Sequence, residues 1–228
     1  MYKNIGIIVQ ARTGSKRLPN KILKKILPEI SFIEYLILRL QKSKRIKKII
    51  VATSTKKPDD KILKIKSKNI FFYRGSEKNV IKRYIDAAKI FKIKHIIRIT
   101  SDCPFADPKL IDKLTKKYFD GKFEYVSNVN PPSFPNGFDI EIFSLEVLKK
   151  SAKLHKGYKN REHVTFAIRK KMKLKKYNLI LKKNINHIRL TLDNKYDYFK
   201  LKKLANYVNI KDNWKSIYLK NIKINNEK

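Results

Sequence analysis

The chain has little acid, few glycines and almost no cysteine, and these shortages exclude several classes of protein. Cysteine occurs once, at Cys103, so the chain can form neither an internal disulfide nor a cysteine-based zinc site. The two familiar glycine-rich phosphate signatures, G-x-x-x-x-G-K-[ST] and G-x-G-x-x-G, are both absent. No apolar run approaches the ~20 residues of a membrane helix, and the first residues lack a signal-peptide layout. We therefore expect a cytoplasmic protein without a membrane span.

The shortage of acidic residues gives the chain a formal net charge of +37, from 56 basic and 19 acidic side chains. Such an excess is compatible with nucleic acid or an anionic membrane surface as a partner. Most of the basic residues are lysines spread along the whole chain, as a compositional drift would produce. Arginine is scarcer, and most arginines fall within the candidate site segments. No nucleic-acid-binding motif accompanies the charge, so we expect no specific nucleic-acid partner.

Strand-like and helical patterns alternate along the 228 residues, which is enough chain for one α/β domain. Strands separated by helices of ten or more residues indicate a mainly parallel sheet with right-handed crossovers. We predict one domain over residues 1–214, followed by a basic tail over residues 215–228 that frays. The predicted strands are Ile5–Gln10, Lys48–Thr53, Ile70–Tyr73, His95–Thr100, Glu124–Ser127, Phe138–Phe143, Leu174–Leu181 and His187–Leu192, and the predicted helices are Phe32–Gln41, Asp59–Lys68, Glu77–Phe91, Pro108–Phe119, Ser144–His155, Asn160–Lys171 and Tyr196–Val208.

The first predicted strand runs into a loop with a flexible backbone and four cationic side chains. In an open α/β sheet, ligands bind in the crevice at the carboxyl ends of the strands. Gly14 lets the backbone approach a ligand closely, while arginines can fork onto phosphate oxygens and lysines act as point charges. The loop favours a triphosphate ligand, and a solvated basic turn is the alternative. Its candidate residues are Gln10, Ala11, Arg12, Gly14, Ser15, Lys16, Arg17 and Lys21.

Two aspartates each follow a predicted strand, Asp102 after His95–Thr100 and Asp193 after His187–Leu192. Asp102 is expected beside the cationic loop, because parallel strands end at one edge of a sheet. A carboxylate opposite a triphosphate is a candidate Mg²⁺ ligand, since this ion favours one or two carboxylates together with phosphate oxygens. The alternative for Asp102 is a turn-forming residue before a proline. Spacing alone does not show that the two aspartates meet.

These segments resemble the signatures of one enzyme family. The loop resembles the A-R-x-x-S-x-R-L-P-x-K signature of sugar-activating nucleotidyltransferases, and especially the cytidylyltransferases of the spore-coat polysaccharide (SpsF-like) type, which are relatives of the acylneuraminate and 3-deoxy-octulosonate cytidylyltransferases. Four further blocks follow in the family's order: R-G-S-x-x-[DN]-V-x-x-R-Y, R-I-T-x-D-C-P-x-x-D-P, P-x-G-x-D-[VI]-E-x-F with R-E-H-V-T, and R-L-T-x-D-x-x-x-D. Two departures are Asn20, where relatives often have glycine, and Phe166, where they often have proline.

The resemblance implies a nucleotide-diphospho-sugar transferase-like (Rossmann-like) α/β fold, a three-layer sandwich around a mainly parallel sheet. It implies a Mg²⁺-dependent cytidylyltransferase that joins CTP to a small sugar, releasing pyrophosphate and a CMP-activated sugar for a surface polysaccharide or glycan. The family's members are often dimers, and nothing in these residues identifies an interface. The implied catalytic residues are Arg12, Lys21, Asp102 and Asp193, with both aspartates on the metal, and the implied nucleotide-binding residues are the loop together with Thr53, Ser54, Arg74, Gly75 and Asp102.

Sugar-binding candidates come from the fourth block. Asp139 and Glu141 lie on one face of the predicted strand Phe138–Phe143, where they would bind sugar hydroxyls or stay solvated. Arg161 and His163 are candidates for the carboxylate of a nonulosonic or other acidic sugar, although a lone histidine is more often structural. Three alternatives stay open: another nucleotide as donor, a nucleotide-binding homologue without catalysis, and a polyanion-binding protein.

Two residues of the second block, Ser76 and Arg83, are interpreted separately. Ser76 is interpreted as the N-cap of a helix that begins at Glu77. Arg83 lies within that helix, and both a site role and a structural salt bridge are open to it.

Overall fold

The computed structural model describes residues 2–154 and 163–226, and these residues form nine strands and seven α-helices. Two short 3-10 helices span Lys21–Leu23 and Lys57–Lys64. The strands are β1 (Ile5–Gln10), β2 (Lys25–Leu27), β3 (Ile30–Ser31), β4 (Ile49–Ser54), β5 (Ile70–Gly75), β6 (His95–Thr100), β7 (Tyr125–Ser127), β8 (Glu141–Ser144) and β9 (Lys176–Asn178), and the helices are α1 (Phe32–Leu40), α2 (Val80–Ile90), α3 (Pro108–Asp120), α4 (Leu145–Lys153), α5 (Phe166–Lys170), α6 (Lys195–Ala205) and α7 (Trp214–Asn226).

Seven strands form one sheet in the order β5-β4-β1-β6-β8-β7-β9. The strands β5, β4, β1 and β6 are mutually parallel, which confirms the expectation from the alternating pattern. Strand β8 runs antiparallel to both β6 and β7, so the sheet is mixed at that side. Because Gln10, Ser54 and Thr100 end three neighbouring parallel strands, the segments that follow them meet at one edge.

Helices cover both faces of this sheet, which confirms the three-layer sandwich. Ile7 and Val9 of β1 pack in a core with residues of α1, α3, α6 and α7. Ile8 points the opposite way, into a core with α2, α4 and α5, because successive strand residues alternate between faces. Strands buried on both sides need continuous apolar runs, and β1 and β4 have them.

Side-chain caps fix the starts of two helices that border the site. Asp107 caps α3 as predicted, with its carboxylate accepting a hydrogen bond from the Lys109 N–H at 2.8 Å. The predicted cap at Ser76 is wrong by three residues, since Asn79 caps α2 instead. The Ser76 hydroxyl accepts from the Asn79 N–H at 2.9 Å, which closes the turn before the helix.

Several predicted elements differ in kind or length from those observed. Residues 57–64 form a 3-10 helix rather than an α-helix. The strand predicted over residues 138–143 begins only at Glu141, and no strand forms over the described residues 187–192, which pair through one isolated bridge. The predicted helix over residues 160–171 lies partly outside the described residues, and its described part is α5.

The carboxyl-terminal tail does not fray over its described residues. Residues 214–226 form α7, on which Ile217 and Ile224 are buried in the core beside α6. The Trp214 N–H also donates to the Asp107 carboxylate at 2.9 Å. Apolar residues seven apart give this lysine- and asparagine-rich segment a buried face. The prediction of a fraying tail from its composition is therefore wrong for these residues. None of the helices in the described part of the chain is long and apolar enough to cross a bilayer.

Candidate active site

A cavity of about 610 Å³ opens at the carboxyl edge of the parallel strands. It brings together the cationic loop after β1 and both aspartates that were predicted to follow strands. It also includes residues that sequence reasoning did not assign to the site, namely Glu77, Thr100 and Ser101. The lining residues are Gln10, Arg12, Gly14, Ser15, Lys16, Arg17, Lys21, Glu77, Thr100, Ser101, Asp102 and Asp193.

Lys21 lies between the two aspartates and shows that they meet. Its Nζ is 2.9 Å from Asp193 Oδ1 and 3.6 Å from Asp102 Oδ2, and it donates to the Leu192 carbonyl at 2.6 Å. The Leu192 N–H in turn donates to the Asp102 carbonyl at 2.8 Å, which ties the two aspartate segments together. Two carboxylates about ninety residues apart in sequence therefore share one ammonium group.

The backbone at Asn20 explains one departure from the family signature. Asn20 has φ 55°, in the left-handed region that glycine adopts most readily and asparagine tolerates better than most residues. A 3-10 turn begins at the next residue, Lys21, and delivers its side chain to the cavity. Asparagine is therefore compatible with the left-handed backbone that this turn requires.

A buried carboxylate that sequence reasoning missed holds the cationic loop in place. Asp59, only 3% exposed, accepts from the Thr13 N–H at 2.7 Å and from the Thr13 hydroxyl at 2.6 Å. Its second oxygen accepts from the Ser54 hydroxyl at the end of β4. Burial alone would raise the pKa of Asp59, but these hydrogen bonds outweigh it and lower the pKa. Asp59 stays ionised and clamps the loop to the sheet.

Cationic neighbours keep Asp193 ionised. Arg189 donates to Asp193 Oδ2 at 2.5 Å and to Asp197 Oδ2 at 2.9 Å, and Arg17 Nη2 lies 3.5 Å from Asp193 Oδ1. Burial would raise the pKa of Asp193, but the hydrogen bond and charge of Lys21 and the charge of Arg189 lower it. Asp197 also forms a capping box with Asn194, so it supports the start of α6 as expected.

Part of the predicted nucleotide set lies outside the cavity. Ala11 is buried, and Thr53 and Ser54 are fully buried. The Ser54 hydroxyl already donates a hydrogen bond to Asp59. Arg74 pairs with Asp60 at 2.7 Å and donates to the Thr55 carbonyl at 2.8 Å, so it does not face the cavity either. Gly75 is buried at the end of β5. These residues shape the strand ends rather than line the opening.

Glu141 corrects one expectation about the sugar site. Its side chain is 2% exposed, accepts from Arg98 at 2.6 Å and from the Tyr125 hydroxyl at 2.6 Å, and has no surface left for a ligand. Asp139 precedes the strand and does not line the cavity; burial raises its pKa to about 6, and the charges of Glu141 and Asp102 add to that rise. His163 is exposed, and Arg161 lies outside the described residues.

Comparisons with known proteins agree with this geometry. The sequence profile of a family described as cytidylyltransferase matches residues 6–224. The chain is 32% identical over 209 residues to the spore coat polysaccharide biosynthesis protein SpsF of Bacillus subtilis, covering 88% of this chain and 86% of that protein. The chain belongs to the cytidylyltransferase family. This cytidylyltransferase is also 40% identical over 217 residues to an uncharacterized protein of Methanocaldococcus jannaschii, covering 91% of this chain and 86% of that protein.

Solved structures of other nucleotidyltransferases share the fold of this cytidylyltransferase. A cytidylyltransferase from Leptospira borgpetersenii superposes with a TM-score of 0.91 at 32% identity, covering 99% of this chain and 96% of that one. A CMP:2-keto-3-deoxy-manno-octonic acid synthetase complexed with CTP gives 0.65 at 12% identity, covering 90% of this chain and 99% of that one, which is a likeness of fold alone. The chain is therefore an enzyme of the nucleotidyltransferase class.

Proposed function

We propose that this cytidylyltransferase transfers CMP from CTP to a hydroxyl group of a sugar, the anomeric hydroxyl of an acidic sugar. The sugar oxygen attacks the α-phosphorus, the bond to the β-phosphate bridging oxygen breaks, and pyrophosphate leaves. The hydroxyl proton passes to solvent. The product is a CMP-activated sugar for a surface polysaccharide or glycan, made in the cytoplasm.

The observation that carries this proposal is the charge arrangement of the cavity. Four cationic side chains of one loop face two carboxylates across an opening at the carboxyl edge of the sheet. Arg12, Arg17 and Lys21 would neutralise charge that accumulates on the β- and γ-phosphates as pyrophosphate leaves. Catalysis of this kind depends on positioning and electrostatics more than on covalent chemistry by the protein.

The two aspartates fit a divalent ion. Lys21 Nζ lies between Asp102 and Asp193, so a cation already occupies the space that the two carboxylates share. The donors are carboxylate oxygens, which Mg²⁺ prefers. Among the described residues, no group of three His, Cys, Asp or Glu side chains could hold a metal, so phosphate oxygens would complete the coordination. When bound, Mg²⁺ would supply charge neutralisation at the phosphates.

For the sugar, the proposal retains Asp139, His163 and Arg161 and drops Glu141. The charge of Asp102, which lines the cavity, adds to the rise in the pKa of Asp139, so the two carboxylates are close enough to interact. A pKa near 6 would let its carboxylate accept a hydrogen bond from a sugar hydroxyl at neutral pH. The cationic Arg161 and the exposed His163 suit a carboxylate-bearing sugar.

The experiment that tests the function is pyrophosphate release by the purified protein with Mg²⁺, each of the four nucleoside triphosphates, and a panel of acidic and neutral sugars. We expect release only with CTP and one class of acidic sugar. Release with another nucleotide would reassign the donor. Nucleotide binding without release for any pair would indicate a homologue that has lost catalysis.

The aspartate at the end of β6 gives the sharpest single test of the site. Replacing Asp102→Asn should lower turnover about 100-fold or more, because a metal contact is worth several kcal/mol, while CTP affinity changes far less. Titration calorimetry and steady-state rates separate the two effects. The matched control Asp120→Asn, at the exposed end of α3, should leave both unchanged. Equal losses of turnover and binding in Asp102→Asn would count against a metal role.

A further inference from the structure

Two arginines are among the largest fully buried side chains in the described part of the chain, and they are satisfied very differently. Arg39 on α1 is 0% exposed and Arg83 on α2 is 1% exposed. A buried guanidinium is strongly unfavourable unless its donors find acceptors. How each arginine meets that requirement therefore indicates what it is for.

Arg39 has the pattern of a structural residue. Its Nε donates to the Ala106 carbonyl at 3.2 Å, its Nη1 to the Ile210 carbonyl at 3.1 Å, and its Nη2 to the Asp212 carbonyl at 2.7 Å. Every nitrogen has a backbone acceptor, and the contacts join α1 to the segment between α6 and α7. Removing this side chain would leave several carbonyl groups without a donor.

Arg83 has the opposite pattern. Neither its Nε nor its Nη1 has a hydrogen-bond partner among the described residues. Burial lowers the pKa of Arg83 and the like charge of Arg12 adds to the effect, while Tyr84 and the carboxylates of Asp59 and Glu77 oppose it. Nearby carboxylates thus offset part of the charge, but two buried donors remain without an acceptor in the described part of the chain.

The position of Arg83 connects it to the cavity. Its Cγ would lie 3.0 Å from a Cβ added at Gly75, so the absence of a side chain at Gly75 leaves the space for the arginine stem beneath the end of β5. Its guanidinium interacts electrostatically with Asp59, Arg12 and Glu77, of which Arg12 and Glu77 line the cavity, while Arg83 itself lies behind the lining. Gln10, which also lines the cavity, has a buried polar atom without a partner, Oε1.

We propose that Arg83 is a nucleotide-binding residue whose buried guanidinium donates to an acceptor oxygen of the bound nucleotide, either the base carbonyl or a phosphate. The inference rests on the proposed function, because it takes the nucleotide as the occupant of the cavity. It predicts an enzyme that is less stable when empty than it could be, with the missing acceptor supplied on binding.

The test combines stability and binding in two matched variants, Arg83→Met and Arg39→Met. Methionine has similar length and no charge, so Arg83→Met should raise the melting temperature of the nucleotide-free protein by about 2 °C or more, because the buried site would then hold no donor without an acceptor. The same variant should bind CTP about 10- to 100-fold more weakly, the value of a hydrogen bond to a charged group. Arg39→Met should lower the melting temperature or prevent folding.

Competition with cytidine and with tripolyphosphate distinguishes the two acceptors. If the base carbonyl is the partner, Arg83→Met weakens cytidine binding and leaves tripolyphosphate unchanged; if a phosphate is the partner, the reverse holds. An Arg83→Met protein that binds CTP like the wild type, or that is less stable when empty, overturns the inference and makes Arg83 structural. Wild-type protein that neither binds CTP nor releases pyrophosphate overturns the proposed function itself, and with it the choice of ligand.

Discussion

Asp59 is the residue on which the shape of the cationic loop depends. Replacing Asp59→Asn keeps the size of the side chain but removes the negative charge of a carboxylate that accepts three hydrogen bonds. We therefore expect a loss of about 1.5–3 kcal/mol in the free energy of unfolding at pH 7. CTP affinity should fall as well, because Thr13 is no longer held. Urea unfolding and calorimetry measure the two effects.

The pH dependence of that loss follows from the pKa shift. Because the pKa of Asp59 is lowered in the folded state, its stabilising effect is present above the unfolded pKa and disappears as pH falls through the folded pKa. The difference between wild type and Asp59→Asn should therefore shrink between about pH 5 and pH 2. Asp60→Asn, which removes a half-exposed pair with Arg74, is the control and should matter little. Equal stabilities of the two variants at pH 7 would show that the clamp contributes nothing.

Sequence patterns predicted the lining of the cavity most directly for the cationic loop, whose residues are neighbours both in the chain and in the site. The loop residues Arg12, Arg17 and Lys21 needed no long-range contact to be placed, and they line the cavity. The strand pattern at Glu141 predicts a carboxylate that binds sugar hydroxyls or stays solvated, and it does not reveal the partner Arg98, which lies 43 positions away in sequence. The alternation of a strand gives the face of a carboxylate, but it does not reveal which buried cation already covers that face.

Among the secondary-structure elements, α7 carries the clearest energetic prediction. Ile217 is fully buried against the core, so Ile217→Ala should lower the free energy of unfolding by about 2–5 kcal/mol. Leu219, two residues away on the same helix, is 54% exposed, and Leu219→Ala should stay within about 0.5 kcal/mol of wild type. Urea denaturation compares the two. Similar small losses in both variants would mean that α7 is detached in solution.

The parallel strands were predictable to within a residue or two because burial on both faces demands apolar runs, as in β1 and β4. Residues 187–192 alternate apolar and polar side chains as a strand does, but they lie in a loop, where the backbone bonds to Asn136 and Asp102. Burial rather than sheet pairing produced that pattern. Helix ends were harder to predict, since both Ser76 and Asn79 before α2 could have capped it.

At the scale of the whole molecule, the net charge of +37 makes a separable prediction. The lysines are distributed over the surface, so we expect sequence-independent DNA binding that weakens at least about 1,000-fold between 50 and 200 mM salt. Pyrophosphate release from CTP should change far less over that range, because partly buried ion pairs are screened less. Filter binding and rate measurements in the same buffers make the comparison. Tight DNA binding that survives high salt would revive the polyanion-binding alternative.

The position of Lys21 has a consequence for the arrangement of the two aspartates before substrates bind. Two carboxylates that face one cavity would push apart if nothing lay between them, yet Lys21 bonds Asp193 and neighbours Asp102. Under the proposed reaction, Asp102 and Asp193 would hold a divalent ion in the space that the Lys21 ammonium occupies, and the ammonium would then be available to the phosphates. The lysine thus serves as a placeholder, and the free protein needs no divalent ion to keep its two aspartates together.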